Sequence, residues 1–316
     1  MVITVTFNPA LDKTLRIDNF ELGHVNRSSE SISDIGGKGV NVSKVLKNLG
    51  IDSICTGFLG ENLQNQFIND LAKVGINTDF TKVNGKTRTN VKVVDYINKT
   101  YTDINEPGPE IYDKELNQFL FTFEENINEN DIVILSGGLC PGIPTDIYKR
   151  LSQIAKDKKA TVILDADGDA LKYGLEGKPD IIKPNNHELK KLFNLKSCDK
   201  SELIGAAREI IKTGIKRVVI SLGEEGSMLV TDKNVYFSKA LKVDVKSTVG
   251  AGDAMVAGII YAMENKMDDL SLLKFGASCG TAAVKLEGTK APTFDDVKEI
   301  FKRIEVIELE EEVYVN

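Results

Sequence analysis

Between Ser247 and Gly258 the chain reads Ser-Thr-Val-Gly-Ala-Gly-Asp-Ala-Met-Val-Ala-Gly, so a carboxylate stands directly behind a glycine-rich turn. Met255, Val256, Ile259, Ile260 and Met263 follow with the spacing of one helix face. The turn Gly250-Ala251-Gly252 is therefore expected to open a helix, where unbonded backbone N–H groups and the helix dipole favour an anion. An anion site alone has no use for Asp253. A base beside an anion hole is what phosphoryl transfer requires: one group orients an attacking hydroxyl while donors hold the charge on the transferring group. The competing reading is that Asp253 merely caps the helix, and the turn by itself does not separate the two.

A second glycine-rich turn, Gly36-Gly-Lys-Gly-Val-Asn41, precedes Val42, Val45, Leu46 and Leu49, again at helical spacing, with Gly50 as the stop. It lacks the third glycine of a dinucleotide fingerprint. Nor is there a Walker A loop, since Phe80 stands where Gly85-Lys86-Thr87 would need its first glycine. Such a turn lets backbone N–H groups approach a hydroxylated or phosphorylated ligand, with Lys38 adding charge and Asn41 a two-way amide. Close strand–helix packing explains the same glycines.

These residues need elements to position them. A first strand is expected at 2–8, then a strand at 52–59 and a helix at 62–74. From about residue 113 strands and helices alternate, the rhythm of a parallel sheet between helices. Strands at 132–135, 161–165, 180–183 and 217–221 each end in a polar cluster. The clusters are Ser136-Gly-Gly138, Asp165-Ala-Asp-Gly-Asp169, Lys183-Pro-Asn-Asn-His-Glu188 and Ser221-Leu-Gly-Glu-Glu-Gly226. The C-terminal edge of such a sheet is where ligands bind. Asp165, Asp167 and Asp169 could hold a metal, although Asp-rich turns are commoner. Further helices are expected at 113–126, 145–158, 250–264 and 269–284, and short strands near 228–230, 235–237 and 241–245. A last helix puts Phe294, Val297, Phe301 and Ile304 on one face, and the acidic, strand-like tail 305–316 is assigned no chemistry. The stretch 87–105 reads instead as a β-hairpin. With the piece around 13–18 it is expected to form a small antiparallel sheet, serving as a lid or a dimer surface.

With 316 residues, 41% hydrophobic and 28% charged, the chain has the make-up of a globular protein with a full core. Its net charge of −7 argues against nucleic acid or an anionic membrane as a partner. Any phosphate site must then be a local cluster of cations and N–H groups. Four scattered cysteines (Cys55, Cys140, Cys198, Cys279) suggest buried, reduced thiols, and two histidines leave little material for a histidine metal site. There is no signal-peptide pattern and no apolar run of ~18 residues. The expectation is one cytoplasmic domain, 1–316, with a β lid from about 12–35 and 87–106.

GGKGVN, KPNNHEL and STVGAGDAMVAG, in this order, resemble the two signatures and the central motif of the ribokinase-like (PfkB) carbohydrate kinases. The likeness runs from Asn8 to beyond Thr289, and NPALD, TRTNVKV and NEPGP resemble the phosphosugar-acting branch. It implies a ribokinase-like α/β fold, with a central, mostly parallel sheet flanked by helices and a small β-sheet lid. It implies ATP-dependent phosphorylation of D-fructose 1-phosphate at the 6-hydroxyl, with tagatose 6-phosphate or fructose 6-phosphate as alternative acceptors. A non-catalytic sugar-phosphate sensor on the same fold stays open.

Residue by residue, the resemblance makes Asp253 the catalytic base, with Gly250, Ala251 and Gly252 supplying N–H donors. Lys183 and Asn185 would reach the nucleotide phosphates. Asn185 and Glu188 would hold Mg2+ largely through waters, although a helix N-terminal charge explains Glu188 as well. Ser221, Gly223 and Gly226 would run along ATP, with Ala277 and Thr281 at its adenine. Asp12 and Asn41 would grip sugar hydroxyls, and Gly37 and Gly39 would pack against the ring. Arg27, Lys38 and Arg88 would meet the substrate phosphate. A monovalent cation such as K+ would lie among carbonyls near Ser247, Val249, Ala283 and Gly288. There are two departures from the family pattern. Gly138 stands where relatives usually carry Ser, offering a backbone N–H in place of a hydroxyl. Asp167 also replaces a common Ser, and nothing in the sequence explains it.

Overall fold

The computed structural model describes residues 1–310. The chain opens with Val2–Thr6 (β1), Ala10–Arg16 (β2), Glu30–Gly36 (β3) and the helix Lys38–Asn48 (α1). Ser53–Gly60 (β4), Gln64–Lys73 (α2), Asn77–Val83 (β5), Arg88–Asp95 (β6) and Thr100–Ile104 (β7) follow. Next come Asp113–Asn126 (α3), Ile132–Ser136 (β8), Ile147–Asp157 (α4), Thr161–Asp165 (β9), Gly168–Gly174 (α5) and Ile181–Ile182 (β10). After Asn186–Phe193 (α6) and Lys200–Lys212 (α7) stand Arg217–Ser221 (β11), Gly226–Val230 (β12) and Val235–Lys239 (β13). Ala251–Glu264 (α8), Asp269–Val284 (α9) and Phe294–Phe301 (α10) precede Val306–Leu309 (β14).

Ten strands form one sheet in the order β14-β13-β12-β11-β10-β9-β8-β1-β4-β5. Every pairing from β5 to β11 is parallel, and β12, β13 and β14 extend the sheet antiparallel. The two-residue period of a strand deals side chains to both faces. In β8, Ile132 and Ile134 face the layer of α1, α8, α9 and α10, while Val133 and Leu135 face that of α3, α4 and α7. In β9 and β11, Ile163 and Val219 oppose Val162, Leu164, Val218 and Ile220 in the same way. A sheet apolar on both faces has to be covered on both, and the helices gain most of their stability from that burial.

The helices α8 and α9 approach closely through glycines: a Cβ on Gly258 would stand 2.8 Å from Cys279 Sγ and 2.9 Å from Gly276 Cα. The same contact brings Gly280 against Ala251, so α9 braces the turn that opens α8.

The strands β3-β2-β6-β7 form a separate four-stranded sheet. The antiparallel sheet expected from the sequence is corrected here, because β2 runs parallel to β6, from Ala10 opposite Arg88 to Arg16 opposite Val94. The reason is connectivity: β2 continues outward from β1 and β6 from β5, and β1 and β5 run the same way in the main sheet. Asp95 ties the β2–β3 connection to the hairpin, accepting from Phe20 N–H (2.7 Å), Ile97 N–H (3.0 Å), Asn98 N–H (3.1 Å) and Asn98 Nδ2 (2.8 Å). A second correction concerns 241–245, which forms no strand. The place beside β13 is taken by β14, and Leu241 and Val243 pack against the core instead. Of the strand-like tail, Val306–Leu309 is the strand, and 311–316 lie outside the described residues.

Candidate active site

Parallel strands deliver their C-terminal ends to one edge. There β1 leads to Asn8, β8 to Ser136-Gly138, β9 ends in Asp165, β10 leads to Lys183 and β11 ends in Ser221. Above this edge α1 and α8 begin. Asp253 sits in the first turn of α8, 7% exposed. It does not cap the helix: the N-cap residue is Gly250, in left-handed backbone at φ 80°, and no side chain caps the turn. The carboxylate instead receives a hydrogen bond from Asn41 Nδ2 on α1 at 2.8 Å. Burial pushes the Asp253 carboxyl up to about 6, helped by Asp165 and opposed by Asn41, Lys38 and Lys183. The turn's own N–H groups are only partly engaged, Ala251 N–H reaching Thr248 O at 3.4 Å.

Beneath Asp253 lies a charge cluster. Asp165, 2% exposed, accepts from Lys38 Nζ at 3.1 Å and pairs with Lys183 Nζ at 3.3 Å. Burial alone would raise Asp165, but Lys183 and Lys38 hold it below the usual carboxylate range. For Lys38, burial opposes the charge, yet Asp165 and Asp253 keep it above its ordinary value. The structure separates Asp165 from the other acids of its run. Asp167 stands at the N-cap position of α5 and Asp169 in its first turn. Among the described residues no group of three His, Cys, Asp or Glu could hold a metal. The sequence reading missed Asp165 as the counterion of two lysines. The available signal was its place at a strand end, on the edge that also receives Lys38 and Lys183.

At α6, Asn185 Oδ1 accepts from Glu188 N–H and Glu188 Oε2 from Asn185 N–H, both at 2.8 Å. This capping box realises the helix-terminus reading of Glu188, and burial raises its carboxyl. Among the described residues Glu188 Oε1 has no hydrogen-bond partner, and a cleft of 670 Å³ opens beside it toward Asp167, Asp169, His187 and Lys191. One free carboxylate oxygen and an amide oxygen suit Mg2+ completed by waters and phosphates, not a dedicated all-protein cage. Nearby, Ser221 N–H donates to Pro184 O at 3.1 Å, joining β11 to the turn that carries Asn185. Gly223 has φ 60° and open space around it, whereas Gly226 lies against the Ser238 carbonyl, so strand pairing explains that glycine. Ala277 and Thr281 are half-buried one turn apart on α9. Of the carbonyls expected around a monovalent cation, Ala283 O accepts from Leu286 N–H at 2.9 Å. Those of Ser247, Val249 and Gly288 accept no bond among the described residues and so remain open to a cation.

On the other side, Gly37 and Gly39 press α1 onto β1. A Cβ on Gly37 would meet Thr6 Cγ2 at 2.7 Å, and one on Gly39 would meet Val5 O at 3.0 Å. The close-packing reading of that turn is therefore also realised. Asp12 lies directly over Gly36, where any Cβ would collide with its carboxylate, and accepts from Asn90 Nδ2 at 2.9 Å. Burial raises Asp12. Arg88 donates to Asn8 O at 3.0 Å and Glu106 O at 3.4 Å. Arg27 is exposed in the β2–β3 connection. Gly138 has nothing within 4 Å of a Cβ position. Asn90, absent from the sequence-based site, joins a set of buried atoms without protein partners: Asn41 Oδ1, Asn90 Oδ1, Thr6 Oγ1 and Arg88 Nε. Unpaired buried polar atoms gathered at one edge suit a polyhydroxylated ligand.

The profile described as pfkB family carbohydrate kinase matches residues 6–296. The 1-phosphofructokinase of Bacillus subtilis is 33% identical over 311 residues, covering 98% of this chain and all (100%) of that protein. The tagatose-6-phosphate kinase of Staphylococcus epidermidis is 35% identical over 312 residues, with 98% and 100% covered. The crystal structure of phosphofructokinase-2 from Escherichia coli in complex with potassium superposes with a TM-score of 0.90 at 27% identity, covering 96% of this chain and 98% of that one. The fold is accordingly the ribokinase-like α/β fold expected from the sequence. No helix among the described residues is long and apolar enough to cross a membrane.

Proposed function

The chain belongs to the pfkB family of carbohydrate kinases, and from that premise we propose that it transfers the γ-phosphoryl group of ATP to the 6-hydroxyl of D-fructose 1-phosphate, giving fructose 1,6-bisphosphate. The observation that carries this reading is Asp253, a buried carboxylate raised to about 6, held by Asn41 and not spent on capping the helix it opens. Such a group is mostly ionised at neutral pH yet close enough to that range to accept a proton.

Asp253 takes the hydroxyl proton as the new O–P bond forms and the bond from the γ-phosphorus to the ADP oxygen breaks. The N–H groups of Gly250, Ala251 and Gly252 receive the charge on the transferring group, and Lys183 reaches it from below. Lys183 Nζ lies 3.2 Å from the position of a Cβ on Gly252, which supports that placement. Asp165 pairs with Lys38 and Lys183 until phosphates take its place. Asn185 and Glu188 would hold Mg2+ through waters, and the ion would supply charge neutralisation for the nucleotide phosphates. Ser221, Gly223 and Gly226 run along the nucleotide, with Ala277 and Thr281 at the adenine. The open carbonyls of Ser247, Val249 and Gly288, with Ala283, suit a potassium ion like that of the E. coli relative's complex.

Asp12, Asn41, Gly37 and Gly39 bind the sugar. Lys38, Arg88, the Gly138 N–H and Arg27 meet its phosphate. The small sheet serves as a lid on a single kinase domain, and a second copy of the chain pairs across it. Tagatose 6-phosphate is the second reading, supported by the 35% identity to a tagatose-6-phosphate kinase.

The test is ADP release with Mg-ATP and fructose 1-phosphate, tagatose 6-phosphate, fructose 6-phosphate, fructose or ribose, for the wild type and Asp253→Asn. Turnover with fructose 1-phosphate well above the others, and at least about 10³-fold slower in the variant, is the expected result. Tagatose 6-phosphate as the preferred acceptor would give the substrate to the second reading. Sugar-phosphate binding without turnover would make the protein a sensor.

A further inference from the structure

Tyr148, on α4, is completely buried and stacks on Phe7 with ring centroids 5.7 Å apart and planes 18° from parallel. Its hydroxyl has one proton to give and points it at two carbonyls, Ser136 O and Gly137 O, each 3.0 Å away. From the other side Gly137 N–H donates to Asp165 O at 3.0 Å. Gly137, in left-handed backbone at φ 91°, is thus clamped at both of its peptide groups. The Gly137 carbonyl and the Gly138 N–H belong to one planar trans peptide and point in opposite directions. Holding that carbonyl aims the Gly138 N–H away from the Tyr148 hydroxyl; Gly138 is exposed, and among the described residues its N–H has no acceptor.

We infer that Tyr148 is a positioning residue: without touching substrate, it orients the Gly138 N–H that meets the substrate phosphate. The inference rests on the phosphosugar reading above. A serine at 138 could reach a phosphate by rotating its side chain. A glycine has only its N–H, whose direction is that of the peptide plane, so a chain with glycine here depends on whatever fixes that plane. Burial also holds the phenol well above its ordinary value, with Asp167 and Asp165 adding to it, so the donor stays protonated.

The experiment compares the wild type, Tyr148→Phe and Tyr148→Phe with Gly138→Ser, measuring KM for fructose 1-phosphate, for fructose and for ATP. Tyr148→Phe keeps the ring and its stacking and removes only the hydroxyl. It is expected to raise KM for fructose 1-phosphate about five- to tenfold, leaving KM for ATP, KM for fructose and kcat within about twofold. Adding Gly138→Ser is expected to recover most of that loss, because the new hydroxyl finds the phosphate without the clamp. An unchanged phosphosugar KM in Tyr148→Phe would overturn the inference. So would parallel rises in all three KM values, the mark of general damage, or the absence of any recovery with serine. A wild type that does not prefer the phosphorylated sugar over fructose would overturn the phosphosugar reading, and this inference with it.

Discussion

Asp253 is pulled in two directions, burial and Asp165 favouring its neutral form while Asn41, Lys38 and Lys183 favour its charge. As the proposed base it must be ionised, so kcat/KM is expected to fall as pH drops through about 6. Removing the Asn41 bond, which stabilises the charge, should move that midpoint upward in Asn41→Ala. A flat profile from pH 5 to 8 would count against Asp253 as the base. The same shift has a consequence for stability. The folded carboxyl holds its proton more tightly than an unfolded one, so its contribution is full below the ordinary value of 3.8 and lost as pH rises through about 6. Asp253→Asn escapes that loss and should be more stable than wild type at pH 8, by on the order of 1–3 kcal/mol, the difference shrinking toward pH 4 in thermal unfolding. At this scale the sequence made the residue types at the strand ends legible, because a glycine-rich turn before a helical pattern is a local signal. It did not reveal which of Asp165, Asp167 and Asp169 turns inward beneath two lysines, since spacing within a loop does not set side-chain direction.

Helix spans could be read from the chain because a 3.6-residue apolar period is written in consecutive residues. Strand pairings could not, because partners are chosen by connectivity. The hairpin at 87–105 was legible, but the parallel pairing of β2 with β6 follows from where β1 and β5 leave the main sheet. The separate strand expected at 241–245 gave way to β14, which arrives from more than sixty residues later. The small sheet depends on Asp95, whose bonds to Asn98 and Phe20 outweigh burial and depress its carboxyl to about 2. That contribution is present above 3.8 and lost as pH falls through about 2, so it operates throughout the neutral range. Asp95→Ala should therefore speed amide exchange of Phe20, Ile97 and Asn98 by about tenfold or more at pH 7, leaving the main-sheet amides unchanged. Unaltered exchange at those three positions would show that the β2–β3 connection is held by something else.

For the molecule as a whole, the small sheet exposes Ile32, Tyr96, Ile97, Tyr101 and Ile104. By the strand register Ile32 and Tyr101 share one face of it and Ile104 lies on the other. Exposed apolar side chains on a sheet face suit an association site, and the proposed pairing of two copies can be tested directly. Light scattering at micromolar concentration should give twice the chain mass of 34.7 kDa, and Ile32→Lys with Tyr101→Glu should return it to the single-chain value. A single-chain mass for the wild type would remove the pairing. The sequence by itself determined the α/β class, the alternation of strands and helices, the two glycine-rich helix starts and the family, since each is carried by local pattern or by motif order. The tertiary structure decided what those pieces face. It put Asn41 of α1 on Asp253 of α8, set Lys38 and Lys183 on either side of Asp165 and seated Asp12 over Gly36. Such contacts join residues as many as 212 positions apart. They exist only once sheet order and helix packing have brought the strand ends to one edge.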